Sequence, residues 1–228
     1  MRHLFYLHGF ASSPGSGKAK FLAARLAERG LTLGCPDLNL PDFSTLTVSR
    51  MIAQVTREVE ALPPAPVVLI GSSLGAFVAL HAADQWGREP ARGADGARSW
   101  PIDRLVLFAP AIDAGPSQAR RLGPEALERW RATDRLEVFH HPDMTTRTVH
   151  YELHADAMRY DSFATSVDVP MLIFQGRQDQ VVDPSVVESF AKRRGNVTLH
   201  LLDDGHQLLE SLETIWTDTA PFLGLAPA

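Results

Sequence analysis

Val67-Val68-Leu69-Ile70-Gly71-Ser72-Ser73-Leu74-Gly75 is the stretch that decides the fold. Four apolar residues, three of them β-branched, read as a short buried strand. Gly-x-Ser-x-Gly follows, and the alanine-rich run Leu74–Trp86 continues as a helix that is apolar nearly all round. In this strand–turn–helix context the motif reads as a nucleophile elbow. The turn presents Ser73 clear of the backbone at a helix N-terminus, where unpaired N–H groups can receive developing negative charge. The plainer alternative is a glycine-rich turn with a capping serine. An aspartate and a histidine that follow in suitable order weigh against it.

Outward from the elbow, strand-like and helix-like segments alternate, which predicts a parallel sheet covered by helices on both faces. Strands are expected at His3–His8, Leu31–Cys35, Val67–Ile70, Leu105–Ala109, Met171–Gln175 and Val197–Leu202. The expected sheet order is 2-1-3-4-5-6, all parallel, with the elbow near the centre. Lys18–Arg29 reads as a helix stopped at Gly30. Val48, Met51, Ile52, Val55, Val59 and Leu62 fall on one helical face that Pro63-Pro64 ends. A helix from Pro184 to about Arg194 takes Asp183 as its N-cap. A last helix carries Leu208, Leu209, Leu212, Ile215 and Trp216. Gly87–Trp100 lacks periodicity and reads as a mobile surface loop.

Ala111–Val169 breaks the rhythm. A short helix at about Pro124–Ala132 is followed by Arg135–His140 and Arg147–Leu153, which alternate around Pro142-Asp143 and read as a β-hairpin. An insertion here lies above the C-terminal edge of the sheet, where such sheets bind ligands. The expectation is one α/β domain over residues 1–228, with a lid at about 111–169.

A serine hydroxyl attacks a carbonyl only when a base takes its proton, and a third group must orient that base. Asp179 lies just past the fifth strand and His206 just past the sixth, so both can reach Ser73 at one sheet edge. Asp113, after the fourth strand, is the alternative acid; Asp203 and Asp204 read as surface turn residues. His8-Gly9-Phe10 after the first strand places the backbone N–H of Phe10 to share an oxyanion hole with that of Leu74. His8 then braces the loop. His81 reads as a hydrogen-bonded core histidine. His150 and His154 share the polar face of the expected hairpin strand and do not form a metal pair; with no His-Glu-x-x-His and no cysteine cluster, no metal and no cofactor are expected.

Composition narrows the classes further. The 228 residues are 45% hydrophobic, enough for a sizeable core, and the formal net charge of −5 argues against nucleic acid as a partner. The apolar run Leu4–Leu7 is too short for a signal peptide, and nothing approaches a membrane span. Cys35, the single cysteine, excludes an intrachain disulfide and points to a reducing, cytoplasmic setting.

Tyr6-Leu7-His8-Gly9-Phe10, Ser12-Ser13-Pro14, Lys18-Ala19, Gly71-Ser72-Ser73-Leu74-Gly75 and the late Gly205-His206 resemble the small YqiA-like esterases of the α/β-hydrolase superfamily. The resemblance covers about the first third of the chain and the last two strands. It implies an α/β-hydrolase fold and serine carboxylester hydrolysis without a cofactor, on a small-molecule ester. A thioester, lactone or peptide could use the same residues, and a ligand-binding or signalling protein on the same fold is the reading from another class. Ser73, Asp179 and His206 argue against that last reading, since a binding module needs none of them.

Overall fold

The computed structural model describes residues 2–88 and 102–225. A six-stranded sheet forms its centre, built from β1 (His3–Leu7), β2 (Leu33–Gly34), β3 (Val67–Ser72), β4 (Ile102–Phe108), β7 (Met171–Gly176) and β8 (Val197–Leu202). A separate antiparallel hairpin holds β5 (Leu136–His140) and β6 (Thr145–Val149). The main order is β2-β1-β3-β4-β7-β8, and every neighbouring pair is parallel. This is the order expected from the sequence, with β7 and β8 as its fifth and sixth strands.

Alternation along the strands splits the core into two layers. Leu69, Leu105, Leu107, Met171 and Ile173 face one side, where α2 (Val48–Glu60), α3 (Leu74–Arg88) and α6 (Pro184–Lys192) cover them. Val68, Ile70, Val106, Phe108, Leu172 and Phe174 face the other, under α1 (Gly17–Ala27) and α7 (Leu212–Phe222). Because β3 and β7 are buried along their whole length, they read in sequence as nearly unbroken apolar runs. Helix α3 is buried on more than one side because α2 packs against its outer face.

The local stops follow known chemistry. The Thr47 side chain accepts the Arg50 N–H at the start of α2, and Asp183 accepts the Ser185 N–H ahead of Pro184 at the start of α6. Strand β2 is shorter than the expected Leu31–Cys35, and keeps only two residues of ladder at the sheet edge. Helix α3 continues through Gly87 and Arg88; the remainder of the expected loop to Trp100 lies outside the described residues.

The insertion departs most from expectation. Its first helix, α4 (Ala114–Thr133), begins ten residues before Pro124, and Gly123 at φ 75° kinks it into two segments. Only the second segment matches the expected Pro124–Ala132. The hairpin is present, but its second strand ends at Val149 instead of Leu153. Asp134 stops it: its carboxylate accepts the Tyr151 N–H at 2.7 Å and lies 2.8 Å from His150 Nδ1. The chain then turns into α5 (Glu152–Ala157). His150 and His154 therefore do not share a strand face. His154 is buried in α5, with Nδ1 3.0 Å from Gln118 Oε1.

Candidate active site

The sharp turn after β3 holds Ser73 at φ 53°, a left-handed conformation rare for a residue with a side chain. Ala76 and Phe77 donate their N–H groups to the Ser73 carbonyl, and Ser73 N–H donates to Phe108 O on β4 at 2.9 Å. The flanking glycines are demanded by contact. A Cβ at Gly71 would stand 2.5 Å from Ala76 Cα, and one at Gly75 would fall on the carbonyl oxygens of Leu7 and His8. The elbow is thus pressed between α3 and the end of β1.

His206 Nε2 lies 3.1 Å from Ser73 Oγ, and His206 Nδ1 lies 2.8 Å from Asp179 Oδ2. With Nδ1–H donating to the carboxylate, Nε2 accepts from the serine hydroxyl. Asp179 receives further donors: the N–H groups of Val181 and Val182 on Oδ1, and the Gln175 side-chain amide on Oδ2 at 2.9 Å. Burial alone would push the Asp179 carboxyl up. The hydrogen bonds from His206 and the two amides outweigh it and hold the group below the usual aspartate range. Asp113, the alternative acid, stands at the start of α4 and pairs with Arg120.

The loop carrying His206 is knotted by Asp204. Its carboxylate accepts the N–H groups of Gly205, Glu210 and Ser211 and the Ser211 hydroxyl. Asp203 is the exposed turn residue that the sequence suggested, but Asp204 is buried. The knot, with Leu208 at φ 54°, also delays the final helix to Leu212, so Leu208 and Leu209 belong to the loop.

Phe10 and Leu74 border the same cavity as Ser73 and His206. Among the described residues neither of their N–H groups is taken by a hydrogen bond. Gly9 lies against the elbow, its Cβ position 3.3 Å from Ser73 Cβ. His8 braces this loop: Leu38 N–H donates to Nε2 at 3.0 Å, and Nδ1–H reaches Gly9 O at 2.9 Å. Burial lowers its pKa, which keeps the ring neutral. His81 is the core histidine expected, 3.1 Å from Ser162 Oγ and pushed down to about 4 by burial.

The cavity measures about 690 Å³. Val138, Phe139 and His141 of the hairpin form part of its wall, and His141 N–H donates to Ala11 O in the loop after β1. Trp130 does not reach it; its indole N–H is buried against Val149 O. Phe163 packs on Phe190, and Met158 lies against Gly115. Among the described residues no group of three or more metal-ligating side chains comes together, and no helix is long and apolar enough to cross a membrane.

Lys18, Gln175 and Asp204 were not singled out by sequence reasoning as members of this site. A glutamine ending a strand and an aspartate next to the histidine carry faint signals, because only the fold shows which backbone groups they meet.

Solved structures share this architecture. A protein of Agrobacterium vitis S4 superposes with a TM-score of 0.83 at 19% identity, over 96% of this chain and 87% of its own. Mouse alpha/beta hydrolase domain-containing protein 10 gives 0.78 at 17%, covering 97% and 89%. Est1E from Butyrivibrio proteoclasticus, with ferulic acid bound, gives 0.77 at 20%, covering 98% and 88%. The fold is therefore that of the α/β hydrolases. No curated protein matches the chain in sequence. Residues 3–217, nearly the whole of the described chain, match the uncharacterised protein family UPF0227, and the chain belongs to that family.

Proposed function

We propose that the protein is a serine hydrolase that cleaves small carboxylic esters through an acyl-enzyme. The observation that carries this is the unbroken relay from Ser73 Oγ through His206 to the buried Asp179 carboxylate, opening onto a cavity. Ser73 Oγ forms a bond to the ester carbonyl carbon while its proton passes to His206 Nε2. The carbonyl π pair moves onto oxygen, where the Phe10 and Leu74 N–H groups receive it. The tetrahedral intermediate collapses, the C–O bond to the leaving alcohol breaks, and Nε2 returns the proton to that oxygen. Water repeats the sequence in the second half and frees Ser73. Asp179 stays ionised and fixes the tautomer. Phe10 and Leu74 matter because one lost oxyanion donor costs about 3–4 kcal/mol of transition-state stabilisation. The β5–β6 hairpin acts as a lid over the acyl group. One α/β domain, working in the cytoplasm, is the organisation that the single cysteine and the continuous sheet support.

A fluorophosphonate probe tests the reading. It labels the wild-type protein at Ser73 and leaves Ser73→Ala and His206→Ala unlabelled, alongside turnover of p-nitrophenyl butyrate. An unlabelled wild-type protein that also leaves the ester intact would overturn it.

A further inference from the structure

The cavity wall is electrostatically one-sided. Lys18 and Arg121 both border it, and among the described residues no aspartate or glutamate does, in a chain that carries more acids than bases. Neither cation forms an ion pair among the described residues. Lys18 is only 6% exposed, and its Nζ gives one hydrogen bond, 2.5 Å to the neutral carbonyl of Gln207. Among the described residues no carboxylate forms an ion pair with it. An ammonium withdrawn from water with no carboxylate in direct contact is costly to hold, and the more distant Asp204 and Asp179 offset that only in part. Arg121, exposed where α4 meets the cavity, differs from its neighbours on that helix in having no ion pair. Arg120 pairs with Asp113, Arg129 with Glu125 and Arg131 with Glu128, while Arg121 has no partner among the described residues.

We infer that the cavity selects esters that carry a carboxylate away from the scissile bond, with Lys18 and Arg121 as the residues that recognise its charge. This rests on the esterase reading above and names its substrate class. Lys18 has two N–H donors left after Gln207, and Arg121 can offer a bidentate fork. An incoming carboxylate supplies the direct ion pair that neither cation has among the described residues. Burial lowers Lys18 to about 8, and Asp204 and Asp179 partly offset that effect, so the amine is still protonated at neutral pH.

The experiment compares kcat/KM for each charged ester with its neutral isostere, in two arms. The acyl arm sets monomethyl adipate against methyl adipamate; the alcohol arm sets O-butyryl glycolate against O-butyryl glycolamide. The expected charged-to-neutral ratio is about tenfold or more in at least one arm, the scale of one charge-assisted hydrogen bond. Arg121→Glu lowers that ratio to near one or below, and Arg129→Glu, which makes the same charge change outside the cavity, keeps it. Ratios near one in both wild-type arms, or a ratio that Arg121→Glu leaves intact, would overturn the inference. If no ester is turned over and the fluorophosphonate leaves Ser73 unlabelled, the esterase reading has failed by itself. Calorimetry then judges the anion site: tighter binding of monomethyl adipate than of methyl adipamate upholds it, and equal affinity removes it.

Discussion

Lys18 Nζ donates to Gln207 O across 2.5 Å, joining the first turn of α1 to the residue that follows His206. Residues at opposite ends of the chain thus meet at the site. The bond holds the His206 loop from one side while the Asp204 carboxylate gathers it from within. A neutral carbonyl satisfies one donor, and Asp204 and Asp179 compensate the ammonium charge only in part.

That burial has a signed consequence for stability. Lys18 is lowered by desolvation from its ordinary 10.5 to about 8. Between those two values the unfolded chain binds a proton that the folded chain does not. Stability contributed by this group therefore rises with pH across the window and is flat below it. Urea unfolding of the wild type and Lys18→Met at several pH values from 7 to 10 reads the difference. The wild type gains on the variant above pH 8, with a slope approaching about 1.4 kcal/mol per pH unit. A difference that stays constant from pH 7 to 10 would show that Lys18 is not buried as a cation.

Asp179→Asn disables the relay while the fold stays intact. Oδ2 of Asp179 faces two donors, His206 Nδ1 and the Gln175 amide, and Oδ1 faces two more, from Val181 and Val182. An asparagine NH2 must point at one of these pairs, donor against donor. The imidazole is then driven toward the tautomer that puts a proton on Nε2, which cannot accept from Ser73. Loss of kcat on the order of 10⁴ is expected for p-nitrophenyl butyrate, somewhat less than for Ser73→Ala. Near-normal turnover in Asp179→Asn, together with a collapse in Asp113→Asn, would transfer the acid role to Asp113.

The elbow glycines give a prediction about the fold itself. Gly75→Ala places a methyl group on the Leu7 and His8 carbonyl oxygens, which belong to the end of β1 and cannot yield like a side chain. Overpacking of this kind costs about 1–3 kcal/mol, and the displaced loop after β1 carries Phe10 away from the oxyanion position proposed for it. Gly195→Ala meets nothing within 4 Å and should stay within about 0.5 kcal/mol of wild type. Thermal melts and esterase rates of the two variants separate them; equal Tm values would mean that the turn relaxes freely.

What the sequence disclosed and what it hid divide along a physical line. Central strands such as Val67–Ser72 and Met171–Gly176 are buried on both faces, so their apolar runs and the glycine punctuation after them are visible without coordinates. Ser73 and Asp179 stand just past such buried strands, whereas His206 follows the part-exposed edge strand β8 and is marked instead by its Gly-His pair and by its place after the last strand. The insertion was less legible. The start of α4 carries Gly115 and Pro116, residues of low helix propensity, although proline is tolerated in a first helical turn. Polar alternation after Arg147 looked like a continued strand, and the Asp134 carboxylate that ends it lies far back in the sequence. Gln175 and Asp204 act through backbone N–H groups and a neighbouring carboxylate, partners that no spacing rule identifies.

The hairpin sets the last prediction. Phe139 faces the cavity, whereas Trp130 is locked on Val149 and Phe163 on Phe190. The acyl pocket is therefore bounded, and about 690 Å³ must hold both halves of the ester. Each methylene that enters adds about 0.8 kcal/mol of burial, roughly fourfold in kcat/KM, until the space is filled. Along p-nitrophenyl esters from acetate to palmitate, kcat/KM should rise over the short chains and then level or fall. Phe139→Ala removes a wall without touching the relay, so the turning point moves to longer chains. A rise that continues through palmitate in the wild type, with activation at an oil–water interface, would mean that the hairpin opens to lipid and that the pocket is not closed by Phe139. An unchanged turning point in Phe139→Ala would place the limiting wall elsewhere, on Val138 or Leu153, which line the same cavity.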